Sequence, residues 1–155
     1  MKIIVDDLSS PEIAALLKEH LADMHATSPA ESVHALDLEK LKQPDITFYS
    51  AWRGKDLLGC AAIKHHSSDL AEIKSMRTSK VARSQGVASR LLQHVIELAM
   101  AKHYQVLSLE TGTQDYFQAA RNLYTKFGFV ECDPFADYQA DPNSAFMTLS
   151  LKAFA

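Results

Sequence analysis

The spacing of hydrophobic residues predicts a chain that mixes strands and helices. Residues 46–52 and 57–65 are rich in β-branched, aromatic and small apolar residues, and the turn Arg53-Gly54-Lys55-Asp56 joins them, which indicates an antiparallel hairpin. A third strand is expected over residues 71–78. Shorter apolar runs predict further strands over residues 1–5, 106–109, 129–132 and 146–151.

Helices are expected where apolar residues recur at intervals of three and four. A serine of the Ser9-Ser10 pair can cap a helix that has Pro11 in its first turn, and the positions that follow at helical spacing are Ile13, Leu16, Leu17, His20, Leu21 and Met24. Further helices are expected over about 29–42, over 88–103 with the widest apolar face, and over 119–127. This order predicts one α/β domain over residues 1–155, with a mixed sheet and helices on both of its faces.

Composition indicates a globular domain and argues against nucleic acid and membranes as binding partners. The 155 residues are 47% hydrophobic and 23% charged, as in soluble globular domains. A net charge of −3 provides no basic excess for binding nucleic acid. No apolar run reaches the ~20 residues of a membrane span, and residues 1–7 are too short and too acidic for a secretory signal. We therefore expect a cytoplasmic protein that binds neither nucleic acid nor membranes.

The two cysteines and seven histidines do not predict a metal site. Cys60 and Cys132 are far apart, lie in strand-like runs, and are interpreted as reduced, buried small hydrophobic residues and not as catalytic thiols. His65 and His66 would point to opposite faces of a strand, and no HExxH or paired CxxC spacing occurs. We therefore expect histidines at the surface and no bound metal.

The stretch Arg83-Ser84-Gln85-Gly86-Val87-Ala88 precedes the most amphipathic predicted helix and is a candidate anion site. Gly86 permits backbone conformations that other residues resist, and Ala88 is small enough for a ligand to approach. Free N–H groups at the start of a helix attract negative charge. Arg83 and Arg90 add positive charge, so the stretch suits a pyrophosphate.

A short glycine-bearing stretch before a helix has other interpretations, of which a simple turn is the commonest. A Walker A loop would need GxxxxGK(S/T), which the sequence lacks. A dinucleotide-binding module would need GxGxxG after the first strand, whereas Gly86 is a single glycine that follows strands of hairpin type. The stretch alone therefore does not decide between a phosphate site and a turn.

Two motifs together resemble the GNAT family of N-acetyltransferases. The family's coenzyme A pyrophosphate loop has the pattern (Q/R)-x-x-G-x-(G/A), which residues 83–88 match, with Val81 before it and Leu91-Leu92 after it. Residues 120–129, Ala-Arg-Asn-Leu-Tyr-Thr-Lys-Phe-Gly-Phe, are similar to the family's A-x-x-(L/F)-Y-x-x-x-G-F segment. The resemblance covers residues 45–151 and is strongest to a group of small bacterial acetyltransferases.

The resemblance implies an acyl-CoA N-acyltransferase fold, in which a mostly antiparallel sheet contains two parallel central strands that splay apart beside acetyl-CoA. Residues 71–78 and 105–110 would be those strands, and the pantetheine arm would bond to the edge of the first. The contacts to the coenzyme would come from Met76, Arg77, Thr78, Arg83, Ser84, Gln85, Gly86, Val87, Ala88 and Ser89. The N–H of Met76 would stabilise the oxyanion that forms on the thioester.

The resemblance also implies catalytic roles for two residues. Tyr124 would lie near the coenzyme sulfur and donate a proton to the departing thiolate, or else it is a core tyrosine near the end of its helix. The acceptor amine has to lose a proton before it attacks. Glu110, at the end of a splayed strand, is the first candidate for the base, followed by Glu72 and then by the His65–His66 pair. A carboxylate there could equally bind a cationic substrate, cap the following helix, or be an ordinary surface glutamate.

The acceptor and the state of assembly stay open at this point. The aspartates in residues 133–144 would favour a cationic amine if that loop borders the acceptor pocket, whereas Lys74 and Arg77 could bind a carboxylate. Amino acids, peptide and protein amines, small polyamines and antibiotics are all candidate acceptors, and the family includes homodimers. A non-catalytic acyl-CoA sensor of the same fold is the alternative function.

Overall fold

The computed structural model describes residues 1–34 and 36–151, and its centre is a seven-stranded sheet. The strands in chain order are β1 (Lys2–Val5), β2 (Ile46–Arg53), β3 (Asp56–His65), β4 (Leu70–Thr78), β5 (Val106–Gly112), β6 (Val130–Glu131) and β7 (Ser144–Ser150). Their order across the sheet is β1-β2-β3-β4-β5-β7-β6. β4 and β5 pair in parallel and the other neighbours pair antiparallel. The predicted mixed, mostly antiparallel sheet is confirmed.

Four α-helices in the described residues pack against this sheet, and their bounds are α1 (Pro11–Thr27), α2 (Leu38–Leu41), α3 (Val87–Ala101) and α4 (Gln118–Lys126). The start of α1 is fixed as predicted, because the Ser10 hydroxyl accepts the N–H of Ile13 at 3.2 Å. Among residues 1–34 and 36–151, no helix combines the length and the apolar character needed to cross a membrane.

The helix predicted over about 29–42 is not formed as one helix. Ala30–Ser32 form a single 3₁₀ turn, and α2 covers only Leu38–Leu41. Asp37 causes the separate start of α2, because its carboxylate accepts the N–H of Lys40 at 2.9 Å and so caps a new helix. Residues 28–34 are therefore a connecting segment and not part of a continuous helix.

The alternation of side chains along β2 and β3 produces two apolar cores, one on each face of the sheet. The core beneath α1 and α2 includes Phe48, Cys60 and Ala62 from the strands. The core beneath α3 and α4 includes Tyr49 and Ala61, among others. Because both faces are covered, these strands appear in the sequence as nearly continuous apolar runs.

β4 and β5 separate halfway along their length. Their pairing runs from Leu70–Val106 to Ile73–Leu109, and beyond that point β5 pairs only with β7. β4 continues to Thr78 beside β3, with a bulge at Ser75, whose φ of 53° is in the left-handed region. The sheet therefore opens into a V between the last residues of β4 and those of β5, as the family resemblance implied.

Gly59 in β3 sets how closely α3 approaches this part of the sheet. A Cβ at this position would lie 2.7 Å from the backbone carbonyl oxygen of Arg77 and 3.1 Å from the Leu91 side chain. Both neighbours are held in the core, so moving either of them away would lower the packing energy of the folded state.

We expect Gly59→Ala to lower the free energy of unfolding by roughly 1–3 kcal/mol, because the added methyl overpacks the contact between α3 and β4. Urea denaturation followed by circular dichroism measures this change. Lys55→Ala in the exposed hairpin turn is the control, and it should change stability by less than about 0.5 kcal/mol. A Gly59→Ala protein as stable as the wild type would contradict the close packing described here.

Candidate active site

The V between β4 and β5 contains a cavity of about 570 Å³. Its walls come from β4, β5, α1, α4, the start of α3 and the segment 28–34. Most of the site residues predicted from the sequence line it: Met76, Arg77, Thr78, Arg83, Ser84, Gly86, Val87, Ala88, Ser89, Glu110 and Tyr124. Gln85 is not part of the lining, because its side-chain amide turns away to the Val81 carbonyl and to Arg53.

The start of α3 provides the anion-binding end of the cavity. Gly86 has a φ of 79° and immediately precedes α3, so the free N–H groups of the first helical turn follow it directly. A Cβ built on Gly86 would meet no protein atom within 4 Å, so the space above this residue is open. Ala88 and Ser89 line the same space. Glycine is needed here for the backbone conformation and for the open approach, and both features suit a phosphate ligand.

Tyr124 is buried where α4 borders the cavity. Its hydroxyl lies 3.9 Å from the sulfur of Met76 in β4, and its ring packs edge-on against Phe129. Burial, together with the negative charge of Glu110, raises the pKa of Tyr124 to about 12. The phenol is therefore protonated at neutral pH and can act as a hydrogen-bond donor inside the cavity.

Glu110 lies on β5 just past the point where β4 and β5 separate. The hydroxyl of Ser144 in β7 donates a hydrogen bond of 2.7 Å to its carboxylate. Burial raises the pKa of Glu110, although the bond from Ser144 and the nearby positive charge of Lys74 act in the opposite direction. A half-buried carboxylate with a raised pKa is suited to accept a proton near neutral pH.

The other candidate bases are held by partners. Glu72 is buried and lines the cavity, but it accepts bonds from Tyr138 at 2.6 Å and from Lys74 at 3.3 Å, and it lies 2.8 Å from His66. His65 lies 2.6 Å from the Tyr104 hydroxyl. Neither histidine is among the residues that line the cavity.

Arg77 and Lys74, the two cations considered for binding an acceptor carboxylate, already have carboxylate partners. The guanidinium of Arg77 donates to Glu19 at 2.5 Å and to Asp23 at 2.7 Å, both on α1. Lys74 is paired with Glu72. These side chains tie the sheet to α1 and to the core. Of the carboxylates that line the cavity, Glu110 has no salt-bridge partner among the described residues.

His20 is a lining residue that the sequence indicated only as part of the apolar face of α1. Its side chain is buried, and its Nδ1 has no hydrogen-bond partner among the described residues. Burial, and secondarily the charge of Arg77, lower the pKa of His20 to about 4. A neutral imidazole therefore lines the cavity, and nothing in its helical spacing distinguished it from the leucines around it.

The cysteines play no part in the cavity lining. Cys60 is fully buried and donates to the carbonyl of Ser75 at 3.2 Å, and burial raises the pKa of its thiol to about 12. Cys132 is free and only half-buried, so the expectation of burial holds for Cys60 and not fully for Cys132. Within the part of the chain that the structure describes, no group of three histidine, cysteine or acidic residues could hold a metal ion.

Comparison with known proteins identifies the class. A sequence model of the acetyltransferase (GNAT) family matches residues 13–129, and the chain belongs to this family. It is 53% identical to YsnE, an uncharacterised N-acetyltransferase of Bacillus subtilis, over 97% of this chain and 100% of that protein. The predicted family and enzyme class are confirmed.

Two further similarities bear on fold and activity. The chain is 40% identical to a protein of Azospirillum brasilense named IAA acetyltransferase, over 84% of this chain and 83% of that protein. A solved structure from Klebsiella pneumoniae, described as that of a putative acyl-CoA N-acyltransferase, superimposes with a TM-score of 0.77 and 26% identity, over 97% of each chain. The predicted fold is confirmed.

We expect Gly86→Glu to abolish measurable binding of acetyl-CoA, because the new side chain would fill the open space at the start of α3 and repel phosphate. Calorimetric titration with acetyl-CoA measures the affinity. Gly54→Glu is a matched control, since Gly54 also has a positive φ, 59°, and open space around it but lies in the β2–β3 turn. Retained affinity in Gly86→Glu would remove the start of α3 from the coenzyme site.

We expect Tyr124→Phe to lower turnover by roughly a hundredfold, within the range typical of a lost general acid, and to leave acetyl-CoA affinity nearly unchanged. Steady-state release of coenzyme A measures turnover, and calorimetry measures affinity. Equal turnover in the variant and the wild type would make Tyr124 a packing residue only.

Proposed function

We propose that this protein transfers the acetyl group of acetyl-CoA to a primary amine, with Glu110 as the base and Tyr124 as the acid. One observation supports this most directly: a single cavity joins the open start of α3 at one end to Glu110 and Tyr124 at the other. Acetyl-CoA is the cosubstrate that goes with the GNAT family.

The coenzyme would lie along β4 with its pyrophosphate at the start of α3. Arg83, Ser84 and Gly86 would contact the phosphates together with the N–H groups that follow, where the helix dipole favours negative charge. The pantetheine arm would pair with the edge of β4 from Met76 to Thr78, since β5 no longer occupies that edge. The thioester would then lie between Tyr124 and Glu110.

The reaction begins with an acceptor that arrives as an ammonium ion. Glu110 takes one proton from it, and the neutral amine attacks the thioester carbonyl carbon to form the new C–N bond. The oxyanion of the tetrahedral intermediate would be stabilised by the N–H of Met76, at the bulge in β4. The C–S bond then breaks, and the departing thiolate takes the proton of Tyr124 to leave as free coenzyme A. The nitrogen of the new amide still carries one extra proton and passes it to the Tyr124 oxygen, so that the neutral amide and a protonated Tyr124 remain, while the proton on Glu110 is released to solvent.

The charge around the acceptor end supports an acceptor with a positive charge. Glu110 has the Ser144 hydroxyl as its hydrogen-bond donor, and no salt bridge to it occurs among the described residues. Arg77 is matched by two carboxylates, Glu19 and Asp23. An ammonium ion would therefore gain Coulomb energy on entering, whereas an added carboxylate would lack a free cation among these residues.

A non-catalytic acyl-CoA sensor is the alternative function. It would need the start of α3 but neither Tyr124 nor Glu110, so the presence of both in the cavity favours the enzyme. Cytoplasmic location and homodimer formation stay predictions from the sequence.

Calorimetric titration with acetyl-CoA and, separately, with NAD tests the coenzyme, and saturable binding of acetyl-CoA alone is expected. Release of coenzyme A is then followed with amino acids, polyamines, aminoglycosides and lysine peptides. IAA is included because one relative bears that activity in its name. Binding without turnover of any acceptor would favour the sensor, and binding of NAD instead would overturn the proposal.

We expect Glu110→Gln to lower kcat/KM for the amine by roughly 10²–10⁴-fold at neutral pH. In the wild type, kcat/KM should fall as pH falls through the pKa of Glu110, which burial places above the usual glutamate value. The variant should lose this acidic limb of the profile. Glu131→Gln in β6, an exposed position, is the control. An unchanged pH profile in Glu110→Gln would assign the base elsewhere.

A further inference from the structure

We propose that the acceptor is a small amine compound enclosed under a fixed roof, that peptide and protein amines are excluded, and that Tyr138 is a positioning residue for this roof. The roof consists of residues 28–34 after α1 and residues 132–143 between β6 and β7. The inference rests on the proposed acetyl transfer and narrows its acceptor.

The two segments of the roof are joined to each other above the cavity. The hydroxyl of Ser32 donates to the carboxylate of Asp141 at 2.6 Å, across 109 residues of sequence. The same carboxylate accepts the backbone N–H of Asn143 at 2.8 Å. Ser32 and Asn143 both line the cavity, so this junction lies at its wall.

Tyr138 ties the roof to the floor of the cavity. Its hydroxyl donates to Glu72 at 2.6 Å and accepts from Lys74 at 2.8 Å, and both partners are on β4. The ring of His34, in the other segment of the roof, packs edge-on against the Tyr138 ring with centroids 5.0 Å apart. One side chain therefore contacts both segments and β4.

Aromatic packing keeps Tyr138 in this position. Phe135, in the same segment, packs against the Tyr138 ring at 5.1 Å, and Phe146 of β7 lies 5.4 Å from it. Aromatic pairs at these distances add stabilisation beyond that of their burial. The roof is thus held by hydrogen bonds at the Ser32–Asp141 junction and at Tyr138, where the aromatic cluster adds packing.

A roof held in this way limits the size of the acceptor. The cavity of about 570 Å³ has to take both the pantetheine arm and the acceptor, since the same space reaches from the start of α3 to Glu110. A lysine in a peptide brings chain on both sides of its amine, and that chain needs an open groove. The junction between Ser32 and Asp141 joins the two segments of the roof at the cavity wall and so leaves less room for that chain.

The first test compares acceptors that present the same amine. Cadaverine carries the aminoalkyl chain of a lysine side chain without a peptide, and it is assayed with spermidine, free amino acids and an N-acetylated hexapeptide that contains one lysine. We expect at least one small amine to have kcat/KM more than about tenfold above that of the hexapeptide. Equal or faster acetylation of the hexapeptide would overturn the inference and leave the proposed function intact. Acetyl-CoA binding without turnover of any amine would overturn both.

The second test is Tyr138→Phe, which removes the bonds to Glu72 and Lys74 but keeps the ring. We expect KM for the best small amine to rise roughly tenfold, because a bond to a charged group is lost, while KM for acetyl-CoA stays unchanged. Tyr104→Phe is the matched control, since its hydroxyl pairs with a histidine away from the cavity. Equal changes in both KM values, or a change confined to Tm, would make Tyr138 structural only and would overturn its positioning role.

Discussion

β4 and β5 form parallel pairs over four residues, from Leu70 to Ile73 and from Val106 to Leu109, and then separate. A backbone edge left without a strand partner inside a protein is unfavourable, because its N–H and C=O groups lose water without gaining a partner. The two strands separate because each keeps a different neighbour: β4 follows β3 through the bulge at Ser75, and β5 follows β7 to Gly112. The same unfavourable edge would favour a ligand that can pair with it, and this is the edge on which the proposed function places the pantetheine arm.

Charge is distributed unevenly around this opening. Glu72 is almost fully buried, and a charge there is tolerable only because Lys74, Tyr138 and His66 surround it. Glu110 is less deeply buried and is held by a hydroxyl alone, so its protonation can respond to what enters the cavity. Glu72 and Glu110 lie on neighbouring strands but differ in their surroundings. Glu72 is buried among three polar partners, whereas Glu110 lies at the opening of the V with one hydroxyl partner.

The sequence predicted the elements that bury apolar residues on a regular period. β2, β3, β4 and α3 begin and end within about two residues of their predicted bounds, because long apolar runs and a wide apolar helix face leave few alternatives. The prediction of one helix over residues 29–42 was wrong because the apolar pattern there is irregular. The side chain of Asp37 caps a new, short helix at that point.

Within the site, the motif residues could be predicted because their spacing is local, and they come together around one cavity, apart from the side chain of Gln85. The partners of those residues could not be predicted. Arg77 to Glu19, Ser32 to Asp141 and Glu110 to Ser144 each join residues more than 30 positions apart. Such contacts depend on how the helices and loops pack on the sheet, and the local spacing of apolar residues carries no information about that packing.

The position of β7 between β5 and β6 has a consequence for how the protein is made on the ribosome. β1 to β4 are neighbours in the sheet in the order of synthesis, so they can pair as they emerge. β5 can pair with β4 as it emerges, but its other edge and β6 have to wait for β7, which brings Ser144 to Glu110 and Phe146 to Tyr138. The coenzyme half of the cavity can therefore form during translation, whereas the acceptor half is completed only after the last strand of the sheet has left the exit tunnel.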